Sequence, residues 1–179
     1  MHSTKGSFYF YKGTKKLVNG YQKEYFKNTK TLKVECNFIN GKKEGIQKLY
    51  RKSGGLFFET AYKNGLINGI KKHYLEDGRL YSETPYINGL REGVSKNYDF
   101  KTGKLSYEFT FKDDERNGVS KSYSEDGTLY SEWNYLDGKQ EGSQKSYHKD
   151  GTIFIEEIYK TGKLISSYLN WSELLGWSK

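Results

Sequence analysis

The chain has 179 residues and a lopsided composition, with 17 Tyr, 10 Phe and 20 Gly beside one Pro and one Ala. An apolar fraction of 34% with 17% aromatics excludes a thick aliphatic core; it fits short strands and tight turns, with the core spread as a layer in which Tyr buries its ring and keeps its hydroxyl wet. The net charge of +8 is uneven, because residues 1–52 hold 13 Lys or Arg against 3 Asp or Glu, a net +10, whereas residues 53–179 hold 17 against 19, a net −2.

Residues 1–19 read as an N-terminal cap. Its hairpin spans 6–18, with Phe8-Tyr9-Phe10-Tyr11 followed by the basic run Lys12–Lys16. A stack of repeats needs such caps, since terminal units otherwise expose apolar surface and strand edges.

Residues 20–161 hold six copies of one unit. Gly20, Lys23, Tyr25, Leu32, Glu35 and Phe38 open the series, and Gly45, Lys48, Tyr50, Leu56, Glu59 and Tyr62 repeat it. Gly69, Gly93, Gly118 and Gly142 begin the remaining four copies. The spacing of these glycines is 24 residues, or 25 where Lys27–Thr31 and Asp99–Lys104 lengthen the same turn. Insertions confined to one loop are how structural repeats vary.

Each unit splits into two strand-like halves. In the first, Ile46, Lys48 and Tyr50 share one face, opposite Gln47 and Leu49; in the second, Leu56, Phe58, Thr60 and Tyr62 oppose Phe57, Glu59 and Ala61. Asp-Gly turns (77–78, 126–127, 150–151) join the halves, and Asn-Gly or Asp-Gly (40–41, 64–65, 88–89, 137–138) joins the units. This predicts an all-β fold, tandem β-hairpins forming one extended, twisted antiparallel sheet.

Parity poses a problem. A three-residue turn at 76–78 places Tyr74 and Leu80 on one face, but a two-residue junction then flips the faces in every unit. Either the junction loop is longer than Asn-Gly, or the second glycine (Gly45, Gly69, Gly93, Gly118, Gly142) hosts a bulge.

The repeated Lys (23, 48, 72, 96, 121, 145) and Glu (35, 59, 83, 108, 132, 156) are expected to form cross-strand pairs, with Lys stems lying over Tyr rings. The tail, residues 162–179, reads as a partial repeat and a cap, a short helix or a folded-over segment, and carries Trp171 and Trp177.

The string Gly-x3-Gly-x2-Lys-x-Tyr-x3-Gly-x-Leu-x2-Glu-x2-Tyr-x-Asn resembles the variant MORN repeat of bacteria over roughly residues 16–165. The resemblance implies an extended, twisted single sheet of consecutive hairpins. Many bacterial members are described as antitoxins of toxin–antitoxin pairs, and related arrays are linked to protein scaffolding and lipid surfaces. Two junctions depart from the pattern, Asp113-Asp114 and Thr161-Gly162.

No catalytic constellation is legible. His2, His73 and His148 are scattered, and His73 falls in a variable surface column with Leu49, Asn97, Ser122 and Ser146. Cys36 is alone, which excludes an internal disulfide, and it shares a packing column with Thr60, Thr84, Phe109 and Trp133. Asp113-Asp114-Glu115 lacks the spacing of a calcium loop. The chain is therefore expected to be non-enzymatic, with no cofactor or metal.

Candidate partner-binding residues are Lys12, Lys15, Lys16, Lys23, Lys27, Lys30 and Lys33 at the basic end, and Trp171 and Trp177 in the tail. The column Gln47, Lys71, Ser95, Ser120, Gln144 and the column of His73 are expected to tune specificity. The expected partner is another protein, with the chain acting as an antitoxin, an immunity protein or an inhibitor of a bacterial effector. The alternative is nucleic acid or anionic membrane at the basic end, including a phage-encoded inhibitor of a defence nuclease. Sheet edges offer a route to self-association. No apolar run is long enough for a membrane span or a signal-peptide core, so the chain reads as cytoplasmic.

Overall fold

In the computed structural model the described residues are Tyr9 and 12–169, and they contain strands and no helix. The tail tryptophans, the tail cap and residues 6–8, 10 and 11 of the N-terminal hairpin lie outside them. The chain divides into two compact units, residues 1–93 and 94–179.

The first unit holds β1 (Gly20–Tyr25), β2 (Leu32–Ile39), β3 (Lys42–Tyr50), β4 (Leu56–Lys63), β5 (Leu66–Tyr74), β6 (Leu80–Ile87) and the short β7 (Leu90–Arg91). Each strand pairs antiparallel with the next in chain order. The second unit holds β8 (Gly93–Tyr98), β9 (Leu105–Lys112), β10 (Glu115–Arg116), β11 (Gly118–Tyr123), β12 (Leu129–Leu136), β13 (Lys139–Gln140), β14 (Gly142–Tyr147), β15 (Ile153–Lys160) and β16 (Lys163–Leu169). It too is an open antiparallel sheet of consecutive hairpins. The expected tandem-hairpin fold holds in both units.

Both turns form as their residues dictate. Within a hairpin, the Leu75 amide donates to Arg79 O at 2.8 Å and the Gly78 amide to Leu75 O at 3.1 Å, with Gly78 at φ +85°. Between hairpins, Asn64 and Gly65 both take positive φ (52° and 81°), the mirror-image two-residue turn that matches strand twist. Each junction glycine also donates to the preceding unit, Gly65 to Lys43 O at 2.9 Å and Gly89 to Ile67 O at 2.7 Å.

The junction is thus two residues long, and the parity problem is solved elsewhere. Tyr74 pairs with Leu80 but His73 pairs with Ser82, which leaves Tyr81 as one extra residue. Lys33, Phe57, Tyr130 and Phe154 are the equivalent insertions. The second glycine does host an irregularity, but an even one: Thr60 pairs with Lys71 and Tyr62 with Ile67, so two extra residues around Gly69 leave the faces unchanged. Where Ser166 stands in the glycine column, the shift is a single residue. A consequence is that Leu56 does not share a face with Phe58. Leu56 pairs with Tyr50, and Phe58 with Leu49.

The two faces differ in burial. On face B lie Cys36, Phe38, Gln47, Thr60, Ser95, Phe111, Ser120, Ser122, Ser131 and Gln144, all buried. Small polar side chains along the strand centres leave room for long ones to lie over them. Arg51 covers the Phe57 ring at 4.0 Å, Lys71 that of Phe58 at 5.0 Å, and Arg116 that of Phe109 at 4.3 Å. In the second unit Gln144 plugs the irregularity beside Gly142, donating to Asn134 O at 3.1 Å and accepting from the Asn134 amide at 2.9 Å.

The specificity columns are therefore corrected: Gln47, Ser95, Ser120, Ser122 and Gln144 pack inward. His73 is corrected likewise. It stacks on Phe58 at 4.6 Å and meets Phe57 and Tyr81 edge-on, and burial, with Arg51 and Lys71 nearby, lowers its pKa. Cys36 packs as expected, and burial pushes its thiol pKa up.

Ser120 is fully buried and its hydroxyl has no partner among the described residues. Ser120→Ala is expected to raise stability by up to about 1 kcal/mol, because it removes an unsatisfied polar atom and little volume. A urea midpoint that falls instead would show that the hydroxyl is bonded in solution.

Candidate binding surface

Face A is the open one, and it has two zones. Near the Asp-Gly turns it is stitched by a polar ladder. The Tyr50 hydroxyl donates to Glu35 at 2.7 Å, Tyr74 to Glu59 at 2.8 Å, Tyr123 to Glu108 at 2.8 Å and Tyr147 to Glu132 at 2.7 Å. Every one of these bonds joins consecutive repeats. The same glutamates receive a lysine from their own hairpin, Lys48–Glu59 at 3.6 Å and Lys121–Glu132 at 3.3 Å. These cross-strand ion pairs were expected; the tyrosine bonds were not. Being half-exposed, the ion pairs contribute little, whereas a hydrogen bond onto a charged acceptor is worth about 1.5–3 kcal/mol.

The ladder perturbs ionisation in a consistent sense. The Tyr50 hydrogen bond holds the Glu35 carboxyl below its ordinary value. Burial first, then the accepting glutamate, pushes Tyr74, Tyr123 and Tyr147 up to about 12, and raises Tyr50 in the same direction.

Toward the junction turns, face A becomes apolar. The cross-strand pairs Tyr21–Asn37, Ile46–Ala61 and Ile70–Pro85 form one row across β1–β6. Ile46 is 50% exposed and Ile70 46%. Ile39 and Ile87, each just before an Asn-Gly turn, extend this surface and are also exposed. In the second unit Val119 faces Asn134, and Ser143 faces Ile158, so the row is more polar there. The signal for it was present: a β-branched residue follows the second glycine at Ile46, Ile70, Val94 and Val119.

Of the candidate lysines, Lys12 and Lys23 line one hollow, and the others do not border it. Lys12 borders a hollow of about 390 Å³ on face B, floored by Val34, Cys36 and Phe38 and flanked by Lys43. Lys23 stands on face A, 3.9 Å from Glu35, and Lys33, at its bulge, reaches Glu24 at 2.7 Å. Lys15 and Lys16 are exposed before β1, and Lys27 and Lys30 are exposed in the turn after it. Trp171 and Trp177 lie outside the described residues.

A hairpin-repeat sheet with one face packed inward and the other presenting an apolar row beside a stitched polar ladder defines a surface-presenting repeat protein. The family model for the MORN repeat variant matches residues 67–88, 116–137 and 140–161, three hairpins of this series. Repeats of that type are in general modules for binding proteins or membranes. No curated protein matches the chain.

Proposed function

We propose that this is a non-catalytic binding protein that docks another protein on face A of its first unit, as an antitoxin, immunity protein or inhibitor of a bacterial effector. The row Tyr21, Ile46, Ala61, Ile70 and Pro85, in which Tyr21, Ile46 and Ile70 are exposed and Ala61 and Pro85 half-buried, flanked by the exposed Ile39 and Ile87, carries this reading, since exposed apolar surface marks interaction sites. The net +10 of residues 1–52 defines the partner further as a protein presenting an apolar segment bordered by carboxylates.

Co-expression with the product of the neighbouring open reading frame is expected to return a stoichiometric complex. Ile46→Asp combined with Ile70→Asp should weaken it at least 100-fold, because each isoleucine contributes about 1.5–3 kcal/mol on burial. Both side chains are exposed, so the thermal midpoint should hardly move. Val119→Asp, in the second unit, should leave the affinity within about threefold, a surface-sized change. A complex indifferent to the double substitution would overturn the docking face.

A further inference from the structure

We infer that β1 and the turn that follows it bind single-stranded nucleic acid, sequence-neutrally, through alternating tyrosine rings and lysine ammonium groups. Tyr21, Lys23 and Tyr25 occupy one face of the first described strand, and both rings are open, 56% and 50% exposed. This strand departs from the later units in two ways. At the column of Tyr21 the later units carry Ile46, Ile70, Val94, Val119 and Ser143, none of them aromatic. Tyr25 belongs to the ladder column, yet no earlier repeat supplies a glutamate, and its hydroxyl has no partner among the described residues. A ring that elsewhere is tied down is here free to stack.

The spacing suits an extended strand of nucleotides. Residues i and i+4 of a β-strand stand about 13 Å apart, roughly the rise of four stacked nucleotides at about 3.4 Å each. The Lys23 ammonium lies 5.8 Å from the Tyr21 ring centroid and 3.9 Å from Glu35; a base on that ring displaces it toward the intervening phosphate. Lys27 and Lys30 continue the line in the turn; both are exposed and hold no ion pair among the described residues. Lys33 contributes less, being held by Glu24 at 2.7 Å. A duplex hides the faces of its bases from such rings, which selects a single strand. No arginine occurs before Arg51, so the bidentate fork that reads guanine is missing from this strand and turn, and the contact is to phosphate and ring face alone.

The test is anisotropy of a labelled oligothymidylate of about 12 nucleotides, within the site sizes usual for such platforms. A duplex of equal length and vesicles of mixed anionic and zwitterionic phospholipid serve as competitors. The single strand should bind best. Tyr21→Leu and Tyr25→Leu should each weaken it at least about fivefold without moving the thermal midpoint, since stacking is worth about 1–3 kcal/mol per base. Lys27→Glu with Lys30→Glu should flatten the slope of log affinity against log salt by roughly 1 to 1.5, two phosphate contacts at about 0.7 each. Ile46→Asp with Ile70→Asp should leave oligonucleotide binding intact; Tyr21 is shared with the protein-docking row, and Tyr25, Lys27 and Lys30 distinguish the two surfaces. No binding at low salt, equal binding of duplex or vesicles, or indifference to both tyrosine substitutions would each overturn the assignment.

Discussion

Gly69→Ala is expected to destabilise the first unit by about 3 kcal/mol. Gly69 sits at φ +116°, where L side chains are strained, and a Cβ built on it falls 2.8 Å from the Ala61 Cβ. Neither atom can give way cheaply. Ala61 is pinned on its other side by its pairing with Ile46, and Gly69 pairs with Tyr86. Gly142 offers the contrast: it has φ +75° but nothing within 4 Å of its Cβ position. Gly142→Ala should therefore cost only the left-handed strain, about 1 kcal/mol. Urea unfolding of the two variants separates the effects, and equal midpoint shifts would mean that the close approach at Gly69 does not exist in solution.

The second large effect is alkaline. Tyr74, Tyr123 and Tyr147 titrate near 12 in the folded chain, and Tyr50 is raised in the same direction, against an ordinary value of 10.0. A group whose folded pKa is raised gives stability that is complete below the unfolded pKa and is lost as pH climbs through the folded one. The urea midpoint should therefore hold up to about pH 10 and fall steeply toward pH 12 as the ladder loses its protons. Glu35 is shifted the opposite way, its pKa lowered by the Tyr50 hydroxyl, so its share is present at neutral pH and disappears on acidification below the ordinary carboxylate range. Tyrosinate absorbance is the direct readout. In the native state the ladder tyrosines should ionise later than in denaturant, and Tyr74→Phe should remove one late-titrating group while costing about 1.5–3 kcal/mol at neutral pH. Coincident native and denatured titration curves would show that the inter-repeat hydrogen bonds do not persist.

The charge of the basic end was legible in the sequence, whereas the placing of its lysines on the fold was not. The basic end was evident from charge, but Lys12 stands in a turn beside a hollow that Lys23 also borders, Lys23 pairs with Glu35, and Glu24 neutralises Lys33. The polar columns that looked variable, and hence exposed, are the ones packed inward. Gln47 accepts a hydrogen bond from Lys43 at 3.2 Å, and Ser120 is small enough to be fully buried. On face A the aliphatic Ile46 and Ile70 are exposed, the reverse of what polarity alone suggests. An isoleucine in a strand reads as core unless one knows which face is covered.

What the sequence determines by itself is local. Asn-Gly and Asp-Gly select their turns through positive φ over two or three residues, and the 24-residue period sets strand lengths and the Lys–Glu pairing, because cross-strand neighbours follow once the turns are known. What only the tertiary structure decided depends on relations between strands. The odd residue that restores parity is the one after the repeated leucine, since an even irregularity at the second glycine cannot change faces. The Tyr–Glu bonds span 15 residues and join one hairpin to the next, so no single repeat contains them. Which face is buried follows from how neighbouring side chains cover one another, a collective outcome of packing that the alternating pattern leaves open.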